Sequence, residues 1–301
     1  MAYKISSVAS ADFKAQKVVG FWSDPRLMTA VAGALDLEPK LILCYKGEEL
    51  LASLPIYEKS RLGIKYLVHP SLSYYQALNF YFPDNVPAAR RGLDELGISK
   101  EMAVYLKGKY RKTGINLAPQ NQDVRGFVWS GFRAKPLYTY TWNTSDTPQA
   151  LTDERKKLKV AESRGYTHDE SFEPESFMKL YREMNLRKKQ NPGISMARIQ
   201  DFFVSLHKQG LLIQKNLRLD GEIVSANYTL GNGKGTGYTV IRASKEQEMA
   251  YGVSSLHTMI LLESLGDRYS EIDFCGANVA DVARFKAAMG LSLKIFFHIE
   301  T

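Results

Sequence analysis

The sequence predicts an α+β (α/β) fold of mixed sheets with flanking helices, laid out as two tandem copies of one unit over residues 1–145 and 146–301. Three observations predict it. The chain has 301 residues, about twice the size of a common single domain. One order of strands and helices occurs twice along it. Two closing segments, DVRGFVWSGF from Asp123 and DVARFKAAMG from Asp281, share Asp-Val, a Phe four residues on and a Gly one helical turn later. With 45% hydrophobic residues the chain can bury about three-quarters of its unfolded surface at this length.

In the first copy residues 41–45 read as a strand, Lys46-Gly47 as a tight turn, 50–57 as a second strand and 66–70 as a third that ends at Pro70. In the second copy 212–219 is a strand, Asp220-Gly221 the matching turn, 223–230 the next strand and 238–242 the third. Each turn carries a Gly where a hairpin needs positive φ, which Gly adopts without a Cβ clash. A helical stretch follows each meander (86–96 and 253–265), then a short strand (114–117 and 271–274), the closing segment, and a β-like run (137–142 and 291–299). Taken alone, Asp and Phe at that spacing are one helix cap and one buried anchor. The same order of elements twice is not explained so.

Between the copies, residues 149–163 read as a charged helix ending near Gly165. Its cluster Arg155, Lys156, Lys157, Lys159 and Arg164 is either a solvated face or a contact for phosphate. The Gly-rich GNGKGTG, 231–237, fits no nucleotide-binding fingerprint and lies between two strands, so it reads as a hairpin loop.

Several function classes lose support. Cys44 and Cys275 lie singly in apolar β-like runs, which predicts buried, inert thiols. The five histidines form no HExxH pattern, and no Ser sits in GxSxG, so metal hydrolysis and Ser-triad chemistry are not indicated. No window approaches the run of about 18 apolar residues that a bilayer span needs. The opening MAYKISSVASADFK lacks the basic and apolar regions of a secretory leader, so the expectation is cytoplasmic. A net charge of +8 and a pI near 9.2 favour polyanionic partners: tRNA, CoA, a nucleotide-sugar, or peripheral contact with an anionic membrane surface.

Strand, turn, strand, strand, helix, strand, helix, strand is the order of the acyl-CoA N-acyltransferase (GNAT) fold. The segments LYREMNLRKKQNPGIS (180–195), GEIVSANY (221–228), EIDFCGA (271–277) and VARFKAAMG (282–290) resemble the Fem-type aminoacyl transferases and their FemAB-like bacterial relatives. In the first half NLAPQNQDVRGFVWSGF (116–132) and YTYTW (138–142) resemble that family's first subdomain, so the likeness covers nearly the whole chain. The sequence departs from some members in having no long coiled-coil arm. The resemblance implies a bacterial transferase that moves an acyl or aminoacyl group to a primary amine, in the family a peptidoglycan or other cell-envelope precursor. Such transfer needs a held carbonyl, a neutral amine and a stabilised leaving group.

The resemblance also assigns residues. Lys286 stands where the family places a lysine by the reaction centre, although spacing alone makes it an exposed helix lysine; Val128 replaces it in the first copy, which puts the working site in the second. Asp273 either orients an amine and accepts its proton or caps the following loop through backbone N–H groups. Arg187, with Lys188 and Lys189, meets acceptor phosphates or compensates a helix C-terminus. Tyr238 lines an acceptor channel or is a half-buried strand tyrosine, and Tyr74 and Tyr75 border the acceptor groove or pack.

The donor is aminoacyl-tRNA or acyl-CoA, with no tightly bound cofactor expected. CoA-using members carry Q/R-x-x-G-x-G/A where this chain reads SKEQEMAYGVSS (244–255); Gly252 and Ser254 are the candidate donor contacts there, but the pattern is missing. That favours the aminoacyl-tRNA reading. An acyl-CoA-dependent N-acetyltransferase of a small amine and a non-catalytic binder of tRNA or another anionic ligand are the alternatives.

Overall fold

The computed structural model describes residues 3–9 and 20–301. The stretch 1–14 read for a leader lies partly outside the described residues. The chain forms two compact units, Met1–Leu137 with Ile295–Thr301, and Tyr138–Lys294.

Unit 1 runs β1 (Tyr3–Ala9), α1 (Pro25–Leu35), β2 (Glu38–Lys46), β3 (Glu49–Arg61), β4 (Ile64–Leu67), β5 (Asn79–Phe80), α2 (Ala88–Lys109), β6 (Lys112–Asn116) and α3 (Arg125–Trp129), and the chain leaves it within β7 (Arg133–Asn143). Helix α1 starts where Asp24 accepts the Arg26 N–H and Pro25 supplies a preset φ, so its entrance is fixed by local chemistry. The β2–β3 turn falls on Gly47 (φ 61) and Glu48, one residue past its sequence-predicted place. In the β3–β4 turn Leu62 and Gly63 both have positive φ, the geometry that matches strand twist. Antiparallel β1–β2–β3–β4 continues into β6, parallel to β4. Ile42, Leu54, Met102, Leu106, Ile115 and Phe127 form the core between this sheet and α2 and α3.

Unit 2 repeats the plan. After α4 (Thr152–Glu162) come β8 (Thr167–Asp169), α5 (Pro174–Arg187), α6 (Met196–Lys208), β9 (Leu212–Leu219), β10 (Glu222–Leu230), β11 (Thr236–Ser244), α7 (Glu246–Met249), α8 (Val253–Gly266), β12 (Glu271–Asp273), α9 (Ala280–Ala288) and β13 (Ser292–Glu300). The predicted Asp220-Gly221 turn has φ 51 and 82 and joins an antiparallel β9–β10 hairpin. Residues 231–235 of GNGKGTG connect β10 to β11, and Thr236 and Gly237 open β11. Strand β12 runs parallel to β11 as β6 runs parallel to β4. Tyr228 stacks on Phe177 at 3.7 Å between ring centroids and meets Phe203 at 4.5 Å, fixing α5 and α6 on one face of the sheet.

The sequence places the division near residue 145; the units divide at Leu137 and Tyr138 and the last seven residues join unit 1. The reason is strand pairing. Residues 141–143 of β7 pair with β12 in unit 2, and residues 298–300 of β13 pair with β6 in unit 1. Each repeat therefore lends its last strand to the other unit's sheet, a non-local pairing with no signature in the order of elements.

Candidate functional site

Unit 2 contains a cavity of about 440 Å³ bounded by α4, the C-terminal end of α5, the end of β11, the start of α8 and α9. Five cationic residues line it, Lys157, Arg187, Lys188, Arg242 and Lys286, against two acids, Glu154 and Asp281. Glu154 is buried and committed: it accepts from Lys157 at 2.6 Å and from the Ser255 hydroxyl at 2.5 Å. The wall therefore carries a positive excess.

Gly252 starts α8 with φ 77, and a Cβ there would lie 2.4 Å from the Lys157 carbonyl oxygen. The left-handed conformation and the close approach of α4 both require glycine. Ser254, the other sequence-predicted donor contact, follows on the same wall. Its carbonyl accepts from Arg242 at 3.0 Å, and the same guanidinium nitrogen donates to Thr258 at 2.7 Å. The guanidinium carbon lies 5.3 Å from the Phe285 ring centroid. Burial pushes the Arg242 pKa down to about 10, so it remains charged at neutral pH.

Lys286 projects from α9 and is 8% exposed, not the solvated lysine its spacing suggests. Its Nζ donates to the carbonyls of Phe274 at 2.6 Å, Cys275 at 2.8 Å and Gly276 at 2.5 Å. An ammonium has three protons, and all three are used. Burial is the main cause that lowers its pKa to about 8. The loop it grips carries two successive positive-φ residues, Cys275 at 40 and Gly276 at 73. Lys286 thus holds a strained loop and presents a positive potential to the cavity; a lysine acting as a base would instead be a neutral amine with a free lone pair.

Asp273 is 2% exposed and does not line the cavity. Its Oδ1 accepts from the Thr139 hydroxyl at 2.6 Å and from the Cys275 N–H at 2.8 Å. Arg187 closes α5 and lines the cavity without an ion-pair partner among the described residues; it also stands in the last turn, where a cation offsets the helix dipole. Lys188 lines it too, its pKa lowered by burial and then by Arg187 and Arg242. Lys189, in contrast, is outside the lining. Tyr238 is half-buried in β11 between Leu230 and Asp273 in the strand register and is also outside it. Tyr75 belongs to the unit 1 core, edge-on to Trp22 and Phe296, with Tyr74 half-buried beside it. Of the linker-helix cations only Lys157 reaches the cavity; Arg164 pairs with Glu248.

Sequence reasoning missed Arg242 and the Glu154–Ser255 bond. Arg242 had one available signal, a lone cation in the otherwise uncharged strand TGYTVIRAS. Both cysteines are buried, as expected, and burial raises the pKa of each thiol. Among the described residues no cluster of His, Cys, Asp or Glu could hold a metal ion, and no helix is long and apolar enough to cross a membrane.

No protein-family model and no curated protein matches the chain by sequence. Solved structures do match its fold. A crystal structure of FemX aligns with a TM-score of 0.65 and 13% identity, over 90% of this chain and 90% of that one. A tandem GNAT protein from the clavulanic acid biosynthesis pathway aligns at 0.53 with 14% identity, over 99% and 98%. L-PGS from Bacillus licheniformis aligns at 0.54 with 12% identity, over 90% and 86%. The class is therefore a tandem GNAT fold of the kind seen in FemX. At these identities the likeness establishes the fold, and function has to be argued from the site.

Proposed function

We propose that this chain is an N-acyl or aminoacyl transferase that moves the acyl group of a phosphate-bearing donor to a primary amine, with the unit 2 cavity as the donor site. The observation that carries the reading is the convergence of Arg187, Lys188, Arg242 and the start of α8 on one cavity whose far wall holds the buried ammonium of Lys286. Guanidinium and ammonium groups bind phosphate oxygens directly, and the first amides of a long helix add favourable potential for an anion.

In this reading Lys286 contributes charge. As the amine attacks, negative charge grows on the carbonyl oxygen and then on the leaving group, and a fixed, desolvated cation stabilises both without reorganising. Asp273 is a positioning residue that holds the loop Lys286 grips. The amine must arrive neutral, and no side chain on the cavity wall has the geometry of a dedicated base; solvent takes its proton.

Acyl-CoA and aminoacyl-tRNA are both phosphate-bearing acyl donors. The missing Q/R-x-x-G-x-G/A pattern and the resemblance to Fem-type transferases support aminoacyl-tRNA, and the FemX likeness supports an envelope-precursor amine as acceptor. Calorimetric titration with acetyl-CoA and with charged and uncharged tRNA tests this. Binding of a donor that Arg242→Ala weakens supports the reading. Binding of neither donor, or binding indifferent to Arg242, overturns it.

A further inference from the structure

Unit 1 holds a cavity of about 350 Å³ to which the transfer reading gives no part. It is the repeat equivalent of the donor cavity: Asp123, two residues before α3, and Phe127 of α3 line it, as Asp281 and Phe285 of α9 line the other. The two differ in kind. No lysine or arginine lines the unit 1 cavity, whereas Glu95 of α2 and Asp123 do, over an apolar floor of Phe80, Leu117 and Phe127.

The two carboxylates are not equivalent. Asp123 is spent on Arg125, accepting from its backbone N–H at 3.0 Å and from its guanidinium at 2.7 Å and 2.9 Å. Glu95 has no hydrogen-bond or ion-pair partner among the described residues. Ser99, one helical turn on, lines the same cavity at 2% exposure, and its hydroxyl also lacks a hydrogen-bond partner among the described residues. An unpaired carboxylate and an unbonded hydroxyl four residues apart on α2 form an acceptor pair above an apolar floor.

We propose that this cavity binds a small primary ammonium, its NH3+ bonded to the Glu95 carboxylate and the Ser99 hydroxyl oxygen and its alkyl body lying on Phe80 and Leu117. An ammonium supplies donors only, which is what two acceptors ask for. Two neighbouring carboxylates repel an anion. A divalent metal would need further ligands, and among the described residues no cluster of three or more His, Cys, Asp or Glu is present. Burial and then the charge of Asp123 raise the Glu95 pKa against the opposing charge of Arg91, and a bound cation would favour the carboxylate further. The volume suits a compact ligand, near the lower end of the usual range of about 300–1,000 Å³. A Cβ at Gly126 would lie 2.7 Å from the Lys100 nitrogen and from the Ser99 Cβ, so glycine is what allows α3 to sit against α2 beside this pair.

The test is calorimetric titration of the full chain with n-butylammonium chloride near neutral pH, with butyrate and butanol as controls. Saturable binding of butylammonium and none of butyrate is expected. Glu95→Gln, which removes the charge but no existing bond, should weaken binding about tenfold or more, Ser99→Ala should weaken it less, and Lys286→Met should leave it unchanged. The last variant separates this site from the transfer reaction, on which it does not depend. Absence of saturable binding to the unaltered chain, or equal affinity in Glu95→Gln, overturns the proposal.

Discussion

Asp273 and Lys286 hold the same residue from its two ends: Asp273 Oδ1 accepts the Cys275 N–H at 2.8 Å, and Lys286 Nζ donates to the Cys275 carbonyl at 2.8 Å. The two are 13 positions apart in sequence and come from β12 and α9, yet they act on one loop. Cys275 has φ 40, a conformation a side chain seldom adopts unless its surroundings enforce it. The pair is therefore one device, a clamp that fixes the loop and sets a buried cation beside the unit 2 cavity.

The clamp predicts a contrast between two substitutions of Asp273. In Asp273→Asn the amide oxygen can still accept from Thr139 and Cys275, so most activity should persist. Asp273→Ala loses both bonds and should cost about 1–3 kcal/mol of stability, with activity falling alongside. Urea denaturation and initial rates check this. If Asp273→Asn loses activity while remaining as stable as the parent, Asp273 is a base and the positioning role is wrong.

The lowered pKa of Lys286 predicts two pH dependences. Activity that requires the ammonium should decline as pH rises through about 8, and this limb should vanish in Lys286→Met. Stability should move the other way. Between about 8 and the ordinary 10.5 the unfolded chain holds more protons at this residue than the folded chain does, so its contribution to stability rises with pH across that window. A rate profile with no descending limb near 8 contradicts the role of the charge.

Acid should weaken unit 1. His69 and His298 both bond to Asn116, and burial pushes His69 down to about 4 and His298 below its ordinary 6.5. For His69, the unfolded chain binds more protons between about 4 and 6.5, so stability is lost as pH falls through that window. Urea midpoints measured from neutral pH down to about pH 4.5 should drop, and His69→Gln should flatten the change.

Gly252→Ala should be costly at a position with little else to mark it. The new Cβ meets the Lys157 carbonyl at 2.4 Å and the residue must keep φ 77, so a loss of about 1–3 kcal/mol is expected. Donor affinity should fall as well, because α4 would have to withdraw from the cavity. Thermal unfolding and donor titration read the two effects separately.

Local chemistry made much of the fold legible. The glycine turns, the two meanders and the long apolar pattern of 253–265 all act within a few residues, and they fold within a few residues of the expected places: the first turn falls one residue late and the third strand of the first meander is 64–67 instead of 66–70. The division between the units was harder, because lending the last strand of each repeat to the other sheet is decided by distant partners. The site was legible in part. Arg187, Gly252, Ser254 and Lys286 meet on one cavity although 34 positions separate Gly252 from Lys286. Arg242 reads as an ordinary strand residue until β11 and α9 place it over Phe285. Whether a carboxylate such as Asp273 faces a cleft or a loop depends on pairing with β7, which composition does not encode.

The most direct test of the account is single-turnover transfer from a saturating donor to an amine by the parent chain and by Lys286→Met, with donor affinity measured in parallel. A cation that acts on developing charge predicts a transfer rate reduced about a hundredfold or more in Lys286→Met, with donor binding changed far less. Equal rates in the two proteins would contradict it.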